Sequence, residues 1–531
     1  MSSIILLVAA IILLCLSLNK ISDKLGIPTL LAFIVLGMLF GTDGIIKIPF
    51  DNFQIAEQAC SVSLIFIMFY GGFGTNWKQA KPAAVKAVLL STLGVILTAA
   101  AVGVFCHFVL RFGFWESMLI GAVISSTDAA SVFSILRSKR LNLKDNTASL
   151  LEVESGSNDP CSYMLTVIIL AVMSGDFSGG ALLWMIFSQV AFGILVGVLV
   201  AFASLWILRK TNHVTDGFDT IFVFSMALVA YAGASMIGGN GYLSTYMAGI
   251  ILGNRPIHNK KSLVHFFDGI TGLMQMLIFF LLGLLAFPSQ LPAILPYALA
   301  IVLFLTFVAR PISVFALLTP FGCSVRQQIL VSWSGLRGAA SIVFAIMATV
   351  SPAYTKHDVF HIVIFIILFS ISVQGSLLGP LSKKLDMIDD NSNVMKTFSD
   401  YSDEMPVEFV KISVKKNHPW ANQRVKHISL PPGLLLVLVL RGKERIIPNG
   451  DTIVQEGDKI VLSALSPEEN LGIVLSEISI QKDSKWIGKT LSKIEIGESK
   501  LVLVLKREDK VLIPNGATVI KEKDVLVVSQ L

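Results

Sequence analysis

Apolar windows long enough to cross a membrane recur along most of this chain, and they constrain its fold more than any other feature. In order, the windows cover residues 3–19, 28–41, 55–73, 85–110, 115–137, 147–174, 181–208, 218–237, 241–254, 268–287, 292–319, 328–350 and 359–383. A helix needs about 20 apolar residues to cross the bilayer, because its backbone polar groups must be satisfied within the segment. The sequence therefore predicts a polytopic all-α membrane domain of about thirteen spans at residues 1–384.

The composition and the placement of basic residues support this prediction. Hydrophobic residues make up 54% of the chain and charged residues only 15%, against roughly a quarter charged in an average soluble protein. Of the basic residues between the windows, seventeen fall on one side, and only Lys47, Arg111 and Lys356 fall on the other. With a cytoplasmic C-terminal tail, the positive-inside rule supports the odd number of spans and predicts an N-terminus outside. We expect the protein in the cell inner (plasma) membrane. The net charge of +6 thus orients the protein and does not indicate a nucleic-acid partner.

Two windows carry polar residues at their middle, where a plain lipid-facing helix would be apolar. The fifth window reads "SSTD" at residues 125–128, and the twelfth reads "SGLRG" at residues 334–338. Polar or unwound backbone at membrane depth is tolerated only where it is buried in protein or lines a cavity. The two windows hold equivalent places in the first and last six spans, which predicts inverted repeats with two interrupted helices that cross near an ion site.

The sixth window begins with a patch of oxygen-bearing side chains. At about 100° per residue, four of them face one sector of the helix: Glu154, Ser155, Asn158 and Asp159. Pro160 cannot donate a hydrogen bond to the carbonyl of Gly156, which leaves that oxygen available. Oxygen ligands suit alkali cations, and the absence of His and Cys argues against a transition metal. Five cysteines without a close-spaced pair indicate neither a disulfide framework nor a zinc site.

A carboxylate in such a place can be shared between a proton and a metal ion. Burial raises the pKa of a carboxyl group and a nearby cation lowers it, so the two ligands compete. We assign the shared carboxylate to Asp159, with Asp128 orienting ligands or water across from it. Glu154 is predicted to be the buried partner of Arg337, because an unpaired arginine at that depth would be costly.

Two further residues have supporting roles in this interpretation. Arg310, beside Pro311, is expected to satisfy carbonyls of an interrupted helix. Glu152, about one turn before the patch, is expected to be a helix-end or funnel charge.

The motifs "SSTDAASV", "EVESGSNDP" and "WSGLRGAAS" together resemble the NhaP-type branch of the monovalent cation/proton antiporters, over essentially all of residues 1–384. The resemblance implies an NhaA-like inverted-repeat fold of thirteen spans and a homodimer. It also implies exchange of sodium or potassium for protons by an elevator-like movement of a core domain.

The same resemblance implies a role for each motif residue. Thr127 would offer its backbone carbonyl to an alkali cation that Ser155 and Asp159 bind directly. Asp128 and Asn158 would hold the unwound helix and a bound water. A single Asp after Asn resembles the electroneutral members, which exchange one ion for one proton. Tyr70 stands in "MFYGGFG" where many relatives have an acid, which weakens the local field and favours potassium.

After a polar linker at residues 385–405, one pattern occurs twice in the tail. "LVLVLRGKERIIPNGDTIVQEGDKIVL" and "LVLVLKREDKVLIPNGATVIKEKDVLVV" share a PNG turn, and Trp420 and Trp486 are offset by the same 66 residues. Aligned on the LVLVL strings, the second copy is one residue longer in its first turn. The pattern predicts two small α+β modules, at residues 406–466 and 467–531.

Both modules resemble the TrkA-C (RCK_C) regulatory domain of potassium channels and transporters. The resemblance implies dimerisation and, in some members, a cyclic dinucleotide at the dimer interface. No GxGxxG fingerprint precedes the modules, so no Rossmann nucleotide site and no further cofactor is predicted. The tail is thus predicted either to regulate transport or to stabilise a dimer.

We interpret the chain as an electroneutral potassium/proton antiporter that its tail regulates and that serves pH homeostasis. Sodium/proton exchange on the same machinery is the alternative. A ligand-gated cation channel would also suit the tail, but the chain lacks a filter of the TVGYG kind. An enzyme is disfavoured, because the buried constellation pairs no nucleophile with a base.

Overall fold

The structure is a computed structural model of the full chain. It describes residues 2–25, 28–138, 141, 143–175, 179–210, 218–257, 260–353, 355–389, 407–416, 418–431, 434–442, 444–465, 474–481, 484–494, 500–507, 510–512 and 514–530. By their internal contacts the residues divide into two units, Met1–Asp403 and Glu404–Leu531.

Within its described residues, the regular elements of the first unit are helices. Its helices are α1 (Ser2–Leu25), α2 (Thr29–Phe40), α3 (Phe53–Gly74), α4 (Ala84–Phe108), α5 (Phe114–Val123), α6 (Ala129–Ser138), α7 (Thr147–Met173), α8 (Gly179–Lys210), α9 (Phe218–Met236), α10 (Gly241–Gly253), α11 (Lys260–Leu285), α12 (Pro288–Phe321), α13 (Val325–Trp333), α14 (Ala339–Val350) and α15 (Val359–Lys384). A short helix at Trp77–Ala80 precedes α4.

Each predicted window coincides with one helix, or with one interrupted pair. In the described part of the chain, seven helices are long and apolar enough to cross a membrane: α3, α4, α8, α9, α11, α12 and α15. The unit is therefore a polytopic helical membrane domain. Several helices are shorter and α7 carries the acidic patch, so the number of crossings stays a prediction.

The helices form two packed groups. In the first, which we call the scaffold group, α3 packs on α10 and α11, α2 on α11, and α10 on α8 and α9. In the second, the site group, α5 packs on α4 and α7, and α15 packs on α12 and α14. Small residues allow close approach within the scaffold group, because a Cβ on Gly249 would overlap the carbonyl oxygen of Phe69. The groups meet where α14 contacts α3 and where α7 contacts α10.

Three helices of the site group contain a π-helical turn, at Leu90–Gly94, Leu305–Ala309 and Ser370–Gln374. Such turns alter the regular backbone ladder and free polar groups for other partners. The carbonyl of Gln374 accepts a hydrogen bond from the Trp333 indole at 3.0 Å, and the Ser370 hydroxyl accepts one from the backbone N–H of Arg337 at 3.1 Å. The turn in α15 therefore supports the interruption in the twelfth window.

The start of the predicted linker belongs to the membrane unit. Ile388 forms a β-bridge with Leu143, and Lys144 forms an ion pair with Asp386 at 2.9 Å. Hydrogen bonds to Lys144 lower the pKa of the Asp386 carboxyl below its usual value. The rest of the linker, residues 390–405, lies outside the described residues.

The second unit contains two antiparallel sheets of the same topology. The strands are β1 (Val407–Ser413), β2 (Leu434–Arg441), β3 (Glu444–Ile446), β4 (Lys459–Leu465), β5 (Val474–Ser479), β6 (Lys500–Arg507), β7 (Lys510–Leu512) and β8 (Val525–Gln530). Their orders are β1-β4-β2-β3 and β5-β8-β6-β7. The described residues of each module add only a 3₁₀ turn to the strands, so the predicted α component is absent from them.

The sheet registers correct the alignment of the two repeats. Leu434 pairs with Ala464 and Lys500 with Gln530, and each sheet has its irregularity at the same place, Leu436/Leu438 and Val502/Val504. All these positions are offset by 66 residues, so the second module has no inserted residue. The two LVLVL strings are offset by 65 residues, one fewer than the structural repeat. Aligning them therefore matches side chains that face opposite sides of the two sheets.

Each module is held by an equivalent ion pair. Arg441 binds Asp458 with two hydrogen bonds, of 2.9 and 2.8 Å, and Arg507 binds Asp524 with two, of 2.8 and 2.7 Å. Burial alone would raise the pKa of Asp458, but the hydrogen bonds from Arg441 and the Gln455 amide outweigh it and lower that pKa below its usual value. Each arginine also donates to a backbone carbonyl that follows the PNG residues, Arg441 to that of Ile453 at 2.8 Å and Arg507 to that of Val519 at 2.7 Å.

Candidate functional site

The two interrupted windows cross at their non-helical loops. The first crossing loop, residues 124–128, separates α5 from α6, and the second, residues 334–338, separates α13 from α14. The backbone N–H of Asp128 donates to the carbonyl of Leu336 at 2.8 Å. This direct backbone contact joins the loops, as the sequence predicted for crossing interrupted helices.

Gly338 makes the crossing sterically possible. A Cβ at this position would overlap the carboxyl group of Asp128. Asp128 in turn accepts a 2.6 Å hydrogen bond from the Ser131 hydroxyl in the first turn of α6. A carboxylate is favoured there because the helix N-terminus carries partial positive charge, so Asp128 fixes the start of α6 against the second loop.

Arg337 satisfies the carbonyl groups at the end of α5. Its guanidinium donates to the carbonyl of Ser125 at 2.9 Å and to that of Ser126 at 2.6 Å. The side chain is 1% exposed, and a positive charge is favoured at a helix C-terminus. This is the role that the sequence had suggested for Arg310.

Glu154 pairs with Arg310, and the predicted pair with Arg337 is therefore wrong. Glu154 Oε1 lies 2.5 Å from Arg310 Nη2, and the two side chains are only 1% and 4% exposed. The two arginines exchange their expected roles because the crossing carbonyls engage the guanidinium of Arg337. A carboxylate this deeply buried needs a close ionic partner, and α12 supplies it beside Gly335.

The predicted ion ligands come together between the first crossing loop and α7. The Ser126 hydroxyl donates to Asp159 Oδ1, and the Ser155 hydroxyl donates to the Thr127 carbonyl at 2.6 Å. The Asn158 amide donates to the Thr127 hydroxyl at 2.5 Å. All five side chains are less than 9% exposed, so they form one buried, oxygen-rich site.

Asn158, which the sequence placed in the patch of oxygen ligands, offers a further acceptor to this site. Its Oδ1 atom is buried without a hydrogen-bond partner among the described residues, although buried acceptors are normally satisfied. Carboxylate, carbonyl, hydroxyl and amide oxygens together fit an alkali cation. Within the described residues, no group of three His, Cys, Asp or Glu is arranged to hold a metal.

The structure places other predicted residues away from these ligands. The Tyr70 hydroxyl donates to Asp268 on α11 at 3.2 Å, and its ring packs in an apolar cluster with Phe69 and Phe267. Glu152 is half-buried on α7. The helix α7 runs unbroken through Pro160.

Two scaffold residues beside the site were missed by sequence reasoning. Tyr246 packs its ring on Gly156, where a Cβ would overlap it, and its hydroxyl accepts a 3.4 Å hydrogen bond from Ser157. Asn240 donates to the carbonyl of Pro160 at 2.8 Å and caps α10. Of these two residues, only Asn240 could have been recognised in the sequence, because Asn is a preferred N-cap residue before a helix.

This architecture defines a class of protein. Interrupted helices that cross beside a buried carboxylate are typical of secondary transporters that bind ions near the midplane of the membrane. The comparisons with known proteins then identify the family.

The membrane domain matches the transmembrane family "Sodium/hydrogen exchanger" over residues 7–384, and the tail matches the TrkA-C domain at residues 409–469 and 475–529. The K(+)/H(+) antiporter NhaP2 of Shewanella sp. (strain MR-4) is 31% identical over 88% of this chain and 82% of its own length. The K(+)/H(+) antiporter NhaP of Alkalimonas amylolytica is 31% identical over 89% and 83%.

Among solved structures, the sodium proton antiporter MjNhaP1 from Methanocaldococcus jannaschii at pH 8 is similar, with a TM-score of 0.64 and 25% identity. The match covers 72% of this chain and 98% of that one. The chain belongs to the sodium/hydrogen exchanger family. It is a multi-pass cation/proton antiporter of NhaP-like fold with a TrkA-C tail, and it is not an enzyme.

Proposed function

We propose that this chain exchanges potassium for protons, one for one, at Asp159. The observation that carries the proposal is the environment of this carboxyl group. It is 8% exposed, and its hydrogen-bond partner is the neutral hydroxyl of Ser126. The nearby arginines are engaged elsewhere, Arg337 by two carbonyls and Arg310 by Glu154.

Such a carboxylate needs a mobile positive charge. An uncompensated charge in an apolar surrounding is costly, so either a proton or a cation neutralises Asp159. The oxygens of Ser155, Thr127 and Asn158 complete the coordination when the cation is bound. Both occupied states carry the same net charge, and the exchange is therefore electroneutral.

One observation favours potassium over sodium. Both curated relatives named above, each 31% identical to this chain, are called K(+)/H(+) antiporters. The name of the similar solved structure, a sodium proton antiporter, supports sodium as the second candidate.

The remaining features follow from the resemblance and the charge distribution. We place the protein in the inner (plasma) membrane with its tail in the cytoplasm, as a homodimer whose site group moves against the scaffold group. The TrkA-C modules regulate exchange, and a cyclic dinucleotide is the ligand that we propose for them.

Proton movement in everted membrane vesicles tests the proposal. Potassium added to acidified vesicles is expected to release protons from the lumen, and Asp159→Asn is expected to abolish the release while still reaching the membrane. Asp145→Asn is the matched control, because this exposed residue precedes the same helix in a left-handed conformation that Asn tolerates.

The outcomes separate the candidates. Release with sodium alone would retain the mechanism and replace the cation. Release that survives in Asp159→Asn would refute the assignment of the site. Cation flux without coupled proton movement would favour a channel.

A further inference from the structure

The chain leaves the membrane domain through three residues, Asp386, Met387 and Ile388, which we call the exit segment. Asp386 lies two residues after the end of α15 in a left-handed conformation, with a φ angle of 54°. Such a residue ends a helix and redirects the chain, here toward the loop that precedes α7. Beyond the exit segment the chain continues into the linker and the tail, so a force that the tail exerts along the chain enters the membrane domain here.

Backbone contacts hold the exit segment against the start of α7. Ile388 forms the antiparallel bridge with Leu143, and the backbone N–H of Lys144 donates to the carbonyl of Met387 at 2.9 Å. The backbone N–H of Met387 in turn donates to the carbonyl of Ser382 in α15 at 3.0 Å. The segment therefore joins the end of α15 to the loop before α7.

Met387 anchors the segment in the apolar interior. Its side chain is 2% exposed. It belongs to a buried apolar cluster with residues from three helices of this region: Leu136 of α6, Leu330 of α13 and Leu378 of α15. Since α6 packs on α15, and α13 packs on α12 and contacts α7, the cluster ties the exit segment to the site group.

Polar side chains add weaker contacts at the same place. Asp386 pairs with Lys144 at 2.9 Å and with Arg326, in the first turn of α13, at 3.4 Å. The Asp386 side chain is 70% exposed, and exposed ion pairs contribute little to stability. One buried side chain and one short bridge thus carry most of the attachment, which suits the exit segment to local opening.

The helices that the exit segment joins are the ones that build the ion site. The helix α7 carries Ser155, Asn158 and Asp159, and α13 leads into the second crossing loop. Gln327 of α13, which is 4% exposed, donates to the Thr147 hydroxyl at the start of α7 at 3.1 Å. Release of the exit segment therefore changes the support of both helices where they meet.

We propose that the exit segment couples the tail to the ion site. The inference rests on the proposed function, in which the TrkA-C modules regulate exchange. The held segment of this structure keeps α7 and α13 in register, and the ligands around Asp159 lie together. When the tail changes state, the linker draws the segment away, the register loosens and the site binds the cation more weakly. A small coupling free energy is enough, because few contacts have to open.

A reversible lock tests the coupling in the full chain. Leu143→Cys and Ile388→Cys together place two cysteines at bridged positions, where antiparallel neighbours have Cα atoms about 4.5–5.5 Å apart, within the range of a disulfide. The half-saturating potassium concentration for exchange is measured in everted vesicles with and without cyclic di-AMP. The reduced double variant should respond to cyclic di-AMP as the wild type does, whereas the oxidised one should keep a single value in both conditions. Each single-cysteine variant should respond like the wild type after the same oxidation.

Met387→Ser tests the released state, because it removes the anchor and places a hydroxyl in the apolar cluster. Its half-saturating potassium concentration should rise roughly 2- to 30-fold, the range expected for residues that modulate coupling without touching a ligand, and its response to cyclic di-AMP should be lost. Met387→Leu is the matched control, since it conserves the side-chain volume and should keep the wild-type values. A role in stability alone would reduce the amount of protein in the membrane and leave the half-saturating concentration unchanged.

Three results would overturn the inference. The first is a response to cyclic di-AMP that survives in the oxidised double variant. The second is a wild-type half-saturating concentration in Met387→Ser, which would indicate a packing role. The third is a wild-type chain that exchanges potassium but ignores cyclic di-AMP, which would remove the proposed regulation and this inference with it. Absence of any exchange by the wild type is a different result, because it would refute the proposed transport itself.

Discussion

The buried pair of Glu154 and Arg310 provides a quantitative test of the tertiary structure. Arg310→Gln would leave Glu154 as an unpaired carboxylate at 1% exposure. Breaking a buried ion pair by removing one partner costs about 3–5 kcal/mol of stability. Glu154→Gln should cost a similar amount, because it leaves the guanidinium of Arg310 uncompensated.

The double variant Glu154→Gln/Arg310→Gln should cost less than the two single variants together, because two neutral amides replace two opposite charges. The expected coupling free energy is about 2–3 kcal/mol, near the upper end for residues in direct contact. Arg337→Gln should cost about 1.5–3 kcal/mol through its two carbonyl hydrogen bonds. Its coupling to Glu154 should stay below about 1 kcal/mol, because the structure gives the two side chains no hydrogen bond.

The assay is unfolding of the full chain in mixed micelles by titration with a denaturing detergent, with the two cycles measured side by side. Membrane insertion of each variant is checked by fractionation before the protein is extracted. A coupling energy that is larger for Glu154 with Arg337 than for Glu154 with Arg310 would refute the pairing. Absence of coupling in both cycles would refute the ionic character of the contact.

Three further perturbations test other parts of the molecule. The pKa of Asp458 is lowered in the folded tail, so the ionised carboxylate stabilises the tail fully above its unfolded pKa of about 4, and this stabilisation is lost as pH falls through the folded pKa. Asp458→Asn should remove this contribution to the pH dependence and cost about 2–3 kcal/mol of stability. Limited proteolysis of the tail across pH measures both effects. Gly338→Ala should separate the crossing loops and abolish exchange in the vesicle assay. Gly71→Ala is the control, because a Cβ there meets open space; it should leave exchange unchanged and stability within about 1 kcal/mol of wild type in the unfolding assay. Deletion of residues 400–531 should change the response of exchange to pH or to a cyclic dinucleotide more than the cation preference; an unchanged response in vesicles would leave the tail as a dimer clamp.

Most of the candidate ion site could be predicted because its signals are local. Polar residues inside an apolar window are rare and costly, so residues 125–128 and the patch around Asp159 stood out without any tertiary information. The helical period then placed Ser155, Asn158 and Asp159 on one sector of α7. Interrupted helices were predicted from the same local conflict between polarity and depth.

Partner choice could not be predicted in the same way. Arg310 and Arg337 lie in different windows at similar depth, and each could have reached Glu154. The contact of Tyr246 with Gly156 could not be predicted for a related reason, since a single tyrosine in an apolar window carries no pattern. The contact joins α10 and α7, which are far apart in the sequence.

The sequence by itself determined the membrane domain, its two interruptions, the chemistry of the ligands and the duplicated tail, because apolar length, helical period and repeats are properties of contiguous residues. Only the tertiary structure decided which arginine neutralises Glu154, which carbonyls Arg337 caps, and that Tyr246 packs against Gly156 of α7. These contacts depend on the rotation and depth of each helix against its neighbours. Packing of complementary surfaces fixes both, and no single segment encodes them.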